Sequence, residues 1–471
     1  MKKNVLRPFR IPLENTIEKQ EQRLEKKLRL LERTEIGRKL GLSDKTKLRD
    51  VPVTRYEFYE SFFNNPTPQA FMYPLQEYER TRTSGTSGKE KWFIIPRDYM
   101  TKTIIETAIP MIMLATHDGE KIAMEYGDTV YVNTAPRPFV GGVMISLVSG
   151  KREKPPLFRV VPNFNIPFED KVKHFVNNSD KIDIAITQAS IVVSQIIPAL
   201  KRPICLKGLF CLDTPIAEMY SDKIAEFTGV VPRTAFASTE TLHCSIPSVD
   251  HPLGFFMDWR RGLFEFIPLK QESDDKSSAT GINEVKVGGI YRVIFTSLES
   301  ELTRYDTMNA LECVAKGDDI LGVDYPIFKF HSRLEKTISL HNFTRISEDE
   351  LISVFREVGL EFAEFTTKTS TVEGLQYLTI YLETSDQRCK EEIAKSIHEG
   401  LIQNDVAYKE LVDFYHYVPT RVNLMPGGVF GKFLFGKPAT VAKIERIDVS
   451  EEELCSLFET ARSLDPLWQP T

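Results

Sequence analysis

A short run of hydroxyl residues and glycines that ends in a lysine predicts a binding site for a polyphosphate. The run consists of Thr83, Ser84, Gly85, Thr86, Ser87, Gly88 and Lys89. Glycines let backbone N–H groups point at an anion without a Cβ in the way, while the hydroxyls add donors and the lysine adds positive charge. The run differs from the GxxxxGK[ST] loop, because its glycines are three residues apart and no Ser or Thr follows the lysine. The alternative is a Ser/Gly surface turn between two strands.

The elements that would position this loop can be read from the hydrophobic pattern. Residues 14–40 predict a pair of amphipathic helices that ends near Gly41, and 92–95 predict a strand. From about 100 to 245 helical segments alternate with short β-branched runs, which is typical of an α/β sheet flanked by helices. Residues 253–330 are rich in strands, chiefly 262–268 and 290–296, and 271–280 predict a polar loop.

A new pattern begins after residue 333, with helices predicted at 348–358 and 390–402 and a strand at 374–383. The chain has 471 residues, more than a single core usually supports, so at least two domains are expected. We therefore predict an α/β fold with a large N-terminal domain, residues 1–332, that has mixed sheets and flanking helices. A small α+β domain, residues 333–471, follows it.

Composition excludes several classes of protein. The net charge is −6 and there is no dense basic block, which argues against a nucleic-acid partner. The longest apolar run, 108–115, is too short to span a bilayer, and the first ten residues lack the apolar core of a signal peptide. The six cysteines form no CxxC pair and predict reduced, mostly buried thiols. We expect a cytoplasmic protein without a membrane or nucleic-acid partner.

Four further segments follow the glycine-rich run in a fixed order. They are Phe236-Ala237-Ser238-Thr239-Glu240, residues 302–309 ending in Asn309, residues 330–335 around Arg333, and residues 426–438 with Lys432 and Lys437. In this order they resemble the motifs of the adenylate-forming superfamily, which activates carboxylic acids with ATP. Each match is weak alone, and the ordered set carries the resemblance.

Other fragments are similar to one branch of that superfamily, the auxin-responsive Gretchen Hagen acyl-acid amido synthetases and their microbial relatives. These fragments are residues 33–41, 51–56, 264–268 and 289–296. The phenylacetate–CoA ligase branch is the near neighbour. The resemblance covers most of the chain from about residue 30 onward. It implies a mobile C-terminal domain and a reaction that uses ATP and Mg²⁺.

The resemblance also implies roles for individual residues of the nucleotide site. Residues 83–89 would cradle the β- and γ-phosphates, Thr239 would contact the α-phosphate, and Glu240 would hold Mg²⁺. Phe236, Ala237 and Ser238 would complete this nucleotide-binding segment.

The second half of the motif set supplies the ribose contact, the hinge and the reactive lysine. Asn309 stands where relatives have the aspartate that grips the ribose, and Arg333 would contact ribose or phosphate. Glu335 would be the hinge between the domains. Lys437 would bridge the carboxylate and the α-phosphate during adenylation, with Lys432 as the rival for that role.

Several positions depart from the family pattern. Asn309 replaces an aspartate, and an amide binds a ribose diol less firmly than a charged acceptor does. Met308 replaces a glycine, Glu90 replaces a proline that often follows the loop lysine, and Ser332 replaces the glycine before the hinge arginine. If the alignment is out of register, Asp306 would be the ribose carboxylate instead.

The sequence leaves the second half-reaction open. An amide with an amino acid or amine is the preferred product, a thioester with coenzyme A is an alternative, and both start from the same small carboxylic acid. A third alternative is a catalytically impaired nucleotide-binding regulator. His243 is a candidate base or a structural residue, and Tyr305 would pack on the nucleotide or fill the core. Residues 133–139 would form one wall of the acyl pocket.

Overall fold

In the computed structural model of the protein, the described residues are 5–82, 91–134, 136–148, 158–163, 165–166, 168–212, 214–269, 279–334, 337–338, 340, 344, 346–372, 375–436 and 444–470. Its α-helices are α1 (Leu13–Leu31), α2 (Glu35–Lys39), α3 (Tyr56–Asn64), α4 (Arg97–Thr103), α5 (Ile109–Ala115), α6 (Val140–Val148), α7 (Phe168–Asn178), α8 (Ala189–Ile191), α9 (Ile197–Leu200), α10 (Thr214–Met219), α11 (Ser221–Thr228), α12 (Glu348–Glu357), α13 (Lys390–Asn404), α14 (Val406–Tyr415), α15 (Val429–Gly436) and α16 (Glu451–Leu464).

The strands form several sheets. They are β1 (Tyr78–Arg82), β2 (Trp92–Pro96), β3 (Thr129–Val132), β4 (Arg159–Val161), β5 (Ile184–Thr187), β6 (Gly208–Cys211), β7 (Ala237–Ser238), β8 (Leu242–His243), β9 (Ser245–Pro247), β10 (Phe255–Met257), β11 (Gly262–Pro268), β12 (Ile290–Ser297), β13 (Tyr305–Ala315), β14 (Ile327–Arg333), β15 (Thr337–Ile338), β16 (Ile346–Ser347), β17 (Glu364–Val372), β18 (Leu375–Glu383) and β19 (Thr420–Leu424).

The predicted N-terminal helix pair is present as α1 and α2. Leu24 and Leu31 of α1 are buried, in keeping with the apolar spacing in the sequence. Thr34 caps α2, since its hydroxyl oxygen accepts a hydrogen bond from the Gly37 N–H at 3.0 Å. Gly41 has a φ of +74°, a backbone conformation that glycine adopts without steric cost, so the helix pair ends where the sequence predicted.

A parallel sheet with strand order β4-β3-β5-β6 forms the alternating α/β segment. Two helical segments beside it contain π-helical turns, Ile104–Ala108 and Val192–Ile196, and a proline follows each turn by two residues. Proline lacks an N–H and its ring clashes with the carbonyl four residues earlier. A π-turn accommodates that defect without ending the helix.

An antiparallel sheet with strand order β11-β12-β13-β14-β10-β9 follows in sequence. Its core is aromatic, and the rings of Phe266 and Phe328 stack with centroids 5.0 Å apart. The first strand predicted here, 262–268, matches β11, and the second ends one residue later than predicted. The polar loop predicted at 271–280 lies largely outside the described residues.

The C-terminal segment forms a smaller sheet, β17-β18-β19, with helices α12 to α16 around it. Helix α12 begins with a capping box, in which Ser347 accepts from the Glu350 N–H and the Glu350 carboxylate accepts from the Ser347 N–H. Arg446 anchors this part internally, because its Nε donates to Glu364 at 2.6 Å and its Nη1 donates to Glu348 at 2.7 Å.

The C-terminal segment packs directly against the parallel-sheet region. One apolar core contains Tyr131 and Phe175 from the parallel-sheet side together with Phe430 and Phe433 of α15. At another point the Phe362 N–H donates to the Tyr220 hydroxyl at 3.0 Å, and the two rings contact edge to face at 6.2 Å. The two parts of the chain are therefore joined by buried apolar surface.

These observations confirm the predicted α/β class with mixed sheets and flanking helices. All six cysteines are free, as predicted. The prediction that most of them are buried was wrong, because Cys205, Cys389 and Cys455 are exposed. Cys389 and Cys455 lie at the N-cap of α13 and on α16, at the protein surface. Within the described ranges, no helix combines the length and apolar character needed to cross a bilayer.

Candidate active site

The predicted phosphate loop connects two paired strands. β1 and β2 run antiparallel, and Arg82 opposite Trp92 is their last pair. Residues 83–89, including Lys89, lie outside the described residues. The Arg82 N–H donates to the Pro138 carbonyl at 3.2 Å, and the Arg82 guanidinium lies 4.6 Å from the Phe139 ring centre. The base of the loop is therefore fixed beside the segment that the sequence proposed as a wall of the acyl pocket.

Thr239 and Glu240 lie in the turn of a short hairpin. Ala237 pairs with His243 and Ser238 with Leu242, so the turn projects from the paired strands β7 and β8. The Ser238 hydroxyl accepts from the Thr241 N–H at 3.2 Å, which closes the turn. Both Thr239 and Glu240 are partly exposed, and among the described residues no hydrogen bond or ion pair engages the Glu240 carboxylate.

Phe236 anchors this hairpin through its ring and its backbone. The ring is only 5% exposed and stacks on Phe255 with centroids 6.2 Å apart. The Phe236 N–H donates to the Ser245 hydroxyl at 2.6 Å. The ring therefore fills the core, and the exposed Ala237 and the partly exposed Ser238 lead to the turn.

The hairpin is suited to a Mg²⁺ ion that is held by one protein carboxylate together with oxygens of a nucleotide. No cluster of three metal-ligating side chains exists in the part of the chain that the structure describes. Mg²⁺ is usually bound by one or two carboxylates together with substrate phosphates and water, without a full protein cage. One unengaged carboxylate, Glu240, beside hydroxyl groups meets that requirement when a nucleotide supplies the remaining oxygens.

Asn309 and Arg333 lie opposite each other on adjacent strands. They are register partners in β13 and β14. The preceding residue, Met308, has a φ of +52°, the left-handed conformation that favours glycine. This backbone supports the alignment of Met308 with the family glycine and of Asn309 with the family aspartate. The Asn309 amide nitrogen donates to the Thr307 carbonyl at 2.9 Å, which leaves its oxygen free to accept from a ligand.

Asp306 is a structural residue in this arrangement. Its side chain is fully buried, and Arg292 Nε donates to it at 3.0 Å. Arg55 Nε lies 3.3 Å from the same carboxylate, which also accepts from the Met308 N–H at 3.1 Å. The carboxylate of Asp306 is therefore buried and already bonded within the protein, which favours Asn309 over Asp306 as the ribose contact.

Lys432 is engaged by a neighbouring helix of the C-terminal segment. It lies on α15, and its ammonium group donates to the Ser463 hydroxyl on α16 at 2.9 Å. The N-terminus of α15 is held by Glu383, which accepts from the Gly428 N–H at 2.6 Å and the Phe430 N–H at 3.1 Å. Lys437 and Glu335 lie outside the described residues, so the choice between the two lysines and the position of the hinge stay predictions.

His243 and Tyr305 are framework residues. Burial lowers the pKa of His243 to about 4, and Nδ1 is buried without a hydrogen-bond partner. The imidazole is therefore neutral at physiological pH and a weak base. Tyr305 is buried in an aromatic core with Tyr59 and Phe93, so it fills the core.

The sequence did not identify a group of buried polar side chains at the carboxyl edge of the parallel sheet. Tyr131, Asn133, Thr187 and Gln188 each have a buried polar atom without a hydrogen-bond partner. Asn133 was named only as the start of a pocket wall. The available signal was a polar residue at or just after the end of two successive β-branched runs, since ligands bind at the carboxyl ends of such strands.

One segment of the chain matches a known family model. Residues 255–333 match the model of the GH3 family central domain. The match begins at the first residue of β10 and ends at the last residue of β14. None of the curated proteins matches the chain by sequence.

The fold is shared with solved structures over nearly the whole chain. A GH3.15 acyl acid amido synthetase in complex with 2,4-DB is similar with a TM-score of 0.69 and 14% identity, over 95% of this chain and 94% of that one. The chain has the adenylate-forming fold. The resemblance predicted from the sequence is thereby confirmed.

A second neighbour shares the fold in two states of the same enzyme. 2-Hydroxyisobutyryl-CoA ligase in the postadenylation state with 2-HIB-AMP has a TM-score of 0.65 at 14% identity, over 97% of this chain and 94% of that one. The same ligase in the thioesterification state has a TM-score of 0.53 at 15% identity, with the same coverage.

Proposed function

We propose that this protein is an ATP-dependent ligase that adenylates a carboxylic acid and transfers the acyl group to an amino acid or amine, forming an amide. The observation that carries the proposal is similarity along nearly the whole chain to an acyl acid amido synthetase, with residues 255–333 matching the GH3 central domain. The ordered motifs in the sequence support it independently.

The chemistry begins with a carboxylate, which is a poor electrophile because its oxygen is a bad leaving group. A carboxylate oxygen attacks the α-phosphorus of ATP, the bond to the β-phosphate oxygen breaks, and pyrophosphate leaves. The amine then attacks the acyl carbon, AMP leaves, and the amine loses a proton. The protein contributes mainly by positioning groups and stabilising charge.

The hairpin residues serve the first half-reaction. Thr239 would donate its hydroxyl to the α-phosphate, and the unengaged Glu240 carboxylate would hold Mg²⁺. When bound, the ion neutralises charge that develops on the phosphate oxygens. Residues 83–89 bind the β- and γ-phosphates, at the end of a hairpin already fixed beside Pro138 and Phe139.

The pair Asn309 and Arg333 binds the nucleotide in this proposal. The free amide oxygen of Asn309 accepts from a ribose hydroxyl, and the exposed Arg333 donates to ribose or phosphate. Residues 1–332 bind ATP and acid, and 333–471 act as the lid that carries the adenylation lysine. Lys437 is the first choice for that lysine, because Lys432 is engaged with Ser463.

A thioester with coenzyme A is the second candidate product. It is supported by the similarity to a 2-hydroxyisobutyryl-CoA ligase at a TM-score of 0.65. The two candidates share the adenylation step and differ only in the nucleophile that displaces AMP. A regulator without catalysis is the third candidate, supported by Met308 and Asn309 at positions where the family has glycine and aspartate.

The test is acid-dependent exchange of labelled pyrophosphate into ATP, with a panel of aryl and alkyl carboxylates and no acceptor. Exchange with one acid supports adenylation and names the acid class. Adding amino acids, amines or coenzyme A then identifies the acceptor from the product. ATP binding without exchange for any acid would contradict adenylation and favour the regulator.

A further inference from the structure

Unpartnered polar atoms are concentrated at one end of the parallel sheet. Tyr131 Oη, Asn133 Nδ2, Thr187 Oγ1 and Gln188 Oε1 are all buried without a hydrogen-bond partner. The four residues are between 0% and 7% exposed. Buried polar groups in folded proteins are nearly always hydrogen-bonded, and exceptions call for an absent ligand or water. The carboxyl end of a parallel sheet is where such ligands bind.

Three of these side chains lie on one face of the sheet. Tyr131 and Asn133 are two residues apart on the chain of β3, so they point to the same side. Tyr131 is the register partner of Ala185, which places Thr187 beside Asn133 on that side. The Tyr131 ring contacts Phe175 of α7 edge to face at 4.9 Å. This face of the sheet is therefore the one covered by α7.

Helix α7 brings a buried lysine to the same edge. Lys171 is 2% exposed, and its ammonium group donates to the Thr134 carbonyl, next to Asn133. No carboxylate among the described residues pairs with it. Burial lowers the pKa of Lys171 to about 8, which leaves most of the amine protonated at neutral pH. A buried cation with only a neutral acceptor is incompletely compensated, and an anionic partner would stabilise it.

The C-terminal domain covers the same region. Both polar atoms of the Gln195 side chain are buried and unpartnered, on the π-helical turn that packs against α7. A Cβ on Gly431 of α15 would lie 3.6 Å from Gln195 Nε2. The glycine-rich segment before the candidate lysines therefore closes over the turn that carries Gln195.

We infer that Lys171, Asn133 and Thr187 form a receptor for a carboxylate that is not the one being activated. The inference rests on the proposed function and adds the substrate class. The receptor lies beside the segment that fixes the phosphate loop, because Asn133 and Thr134 continue into Pro138 and Phe139. The lysine pairs with the anion, and the amide and hydroxyl donate to its oxygens.

Two substrates could supply this carboxylate. One is an acid that carries a second carboxylate at its far end, and the other is the α-carboxylate of an amino-acid acceptor. Either carboxylate would accept hydrogen bonds from the same three side chains. For each substrate there is a matched compound that lacks this carboxylate. Terephthalate and glutarate are compared with benzoate and butyrate, and leucine is compared with isopentylamine.

The experiment is calorimetric titration of the full chain with these compounds, without ATP, for the wild type and for Lys171→Met. We expect one carboxylate-bearing probe to bind more tightly than the matched compound without that carboxylate. Lys171→Met should lower the affinity for that probe about 10- to 100-fold. Lys173→Met is the control on the exposed side of the same helix, and it should leave the affinity for every probe unchanged. Thr187→Val should weaken the same probe by a smaller factor.

Thermal unfolding without ligand separates binding from a structural role. Lys171→Met should not lower the Tm, because it replaces an unpaired buried cation with an apolar side chain of similar length. A lowered Tm with unchanged probe affinity would overturn the inference, as would probes that bind no better than their matches. A retained probe preference without pyrophosphate exchange would leave the receptor standing and refute the proposed reaction alone.

Discussion

Asn309 and Arg333 face each other across adjacent strands, and the residue before Asn309 has the backbone conformation of a glycine. This relationship places a neutral acceptor beside a cation, where the adenylate-forming family has a carboxylate. The pairing follows from strand register, so it holds whatever the side chains at these positions are. Substitution of Asn309 therefore tests whether this position binds the nucleotide.

Asn309→Asp should strengthen ATP binding. A charged acceptor forms stronger hydrogen bonds to ribose hydroxyls than an amide does, by about 1 kcal/mol, or roughly five- to tenfold in affinity. The measurement is ATP titration of both proteins. An analogue that lacks both ribose hydroxyls is the control, because the gain should vanish with it. An equal gain for both nucleotides would place Asn309 away from the ribose.

Met308→Gly should stabilise the protein. A left-handed backbone costs a non-glycine residue about 1 to 2 kcal/mol, part of which the greater flexibility of unfolded glycine offsets. The expected gain is about 0.5 to 1 kcal/mol in the free energy of unfolding, measured by urea denaturation. Met308→Ala keeps the Cβ and should give no gain. Equal stability of the glycine and alanine variants would contradict the strain.

Glu240→Gln should reduce pyrophosphate exchange by a factor of about 100 or more and raise the Mg²⁺ concentration needed for half-maximal rate. The amide keeps the shape of the side chain and removes the charge that holds the ion. Glu226→Gln, on α11, is the matched control and should leave both values unchanged. Wild-type Mg²⁺ dependence in Glu240→Gln would assign the ion to other residues.

Alanine substitutions of the two candidate lysines should differ in how strongly they lower the adenylation rate. Lys437→Ala should lower the adenylation rate by a factor of about 100 or more, as expected for loss of a charge that stabilises the transition state. Lys432→Ala should lower it only as much as Ser463→Ala does, since both remove the same hydrogen bond. The assay is acid-dependent pyrophosphate exchange with circular dichroism as a check on folding. The reverse order of effects would make Lys432 the adenylation lysine.

His243 should make the protein less stable in acid. Its folded pKa is about 4, against an ordinary value of 6.5, so between these two pH values the unfolded chain binds more protons. Stability therefore falls as the pH drops from 6.5 to 4, by at most about 3 kcal/mol from this residue. His243→Gln should flatten that part of the stability profile, measured by urea unfolding at several pH values. An unchanged slope would show that the buried ring is not the source.

Local features of the fold were predictable from the sequence. Strand β11 was predicted with the bounds it has, because its alternating aromatic residues and flanking breakers act within a few positions. The helix pair α1 and α2 followed from the spacing of apolar residues and from Gly41 in the same way. The order of the site motifs was also visible, since it depends only on residues close in sequence.

The contacts that decide individual roles were not predictable. Asn309 aligned with the ribose position and Asp306, three residues earlier, was the out-of-register alternative, but only the tertiary partners Arg55 and Arg292 show that Asp306 is already engaged. Phe236 likewise turns its ring into the core because of Phe255, nineteen residues later. Lys171 meets the end of β3 through packing of α7, which the chain order of these residues does not reveal.

The apolar core shared by the parallel-sheet region and α15 has a thermodynamic consequence. Any rotation that lifts α15 away exposes side chains such as Phe430 and Phe433 to water, and exposure of apolar surface carries a positive heat-capacity change. An equilibrium between domain orientations, which the proposed mechanism requires, would then depend on temperature with curvature. Because apolar association weakens on cooling, the open orientation would gain population in the cold. The logarithm of the turnover rate should therefore depend non-linearly on reciprocal temperature, even at temperatures where the fold itself is stable.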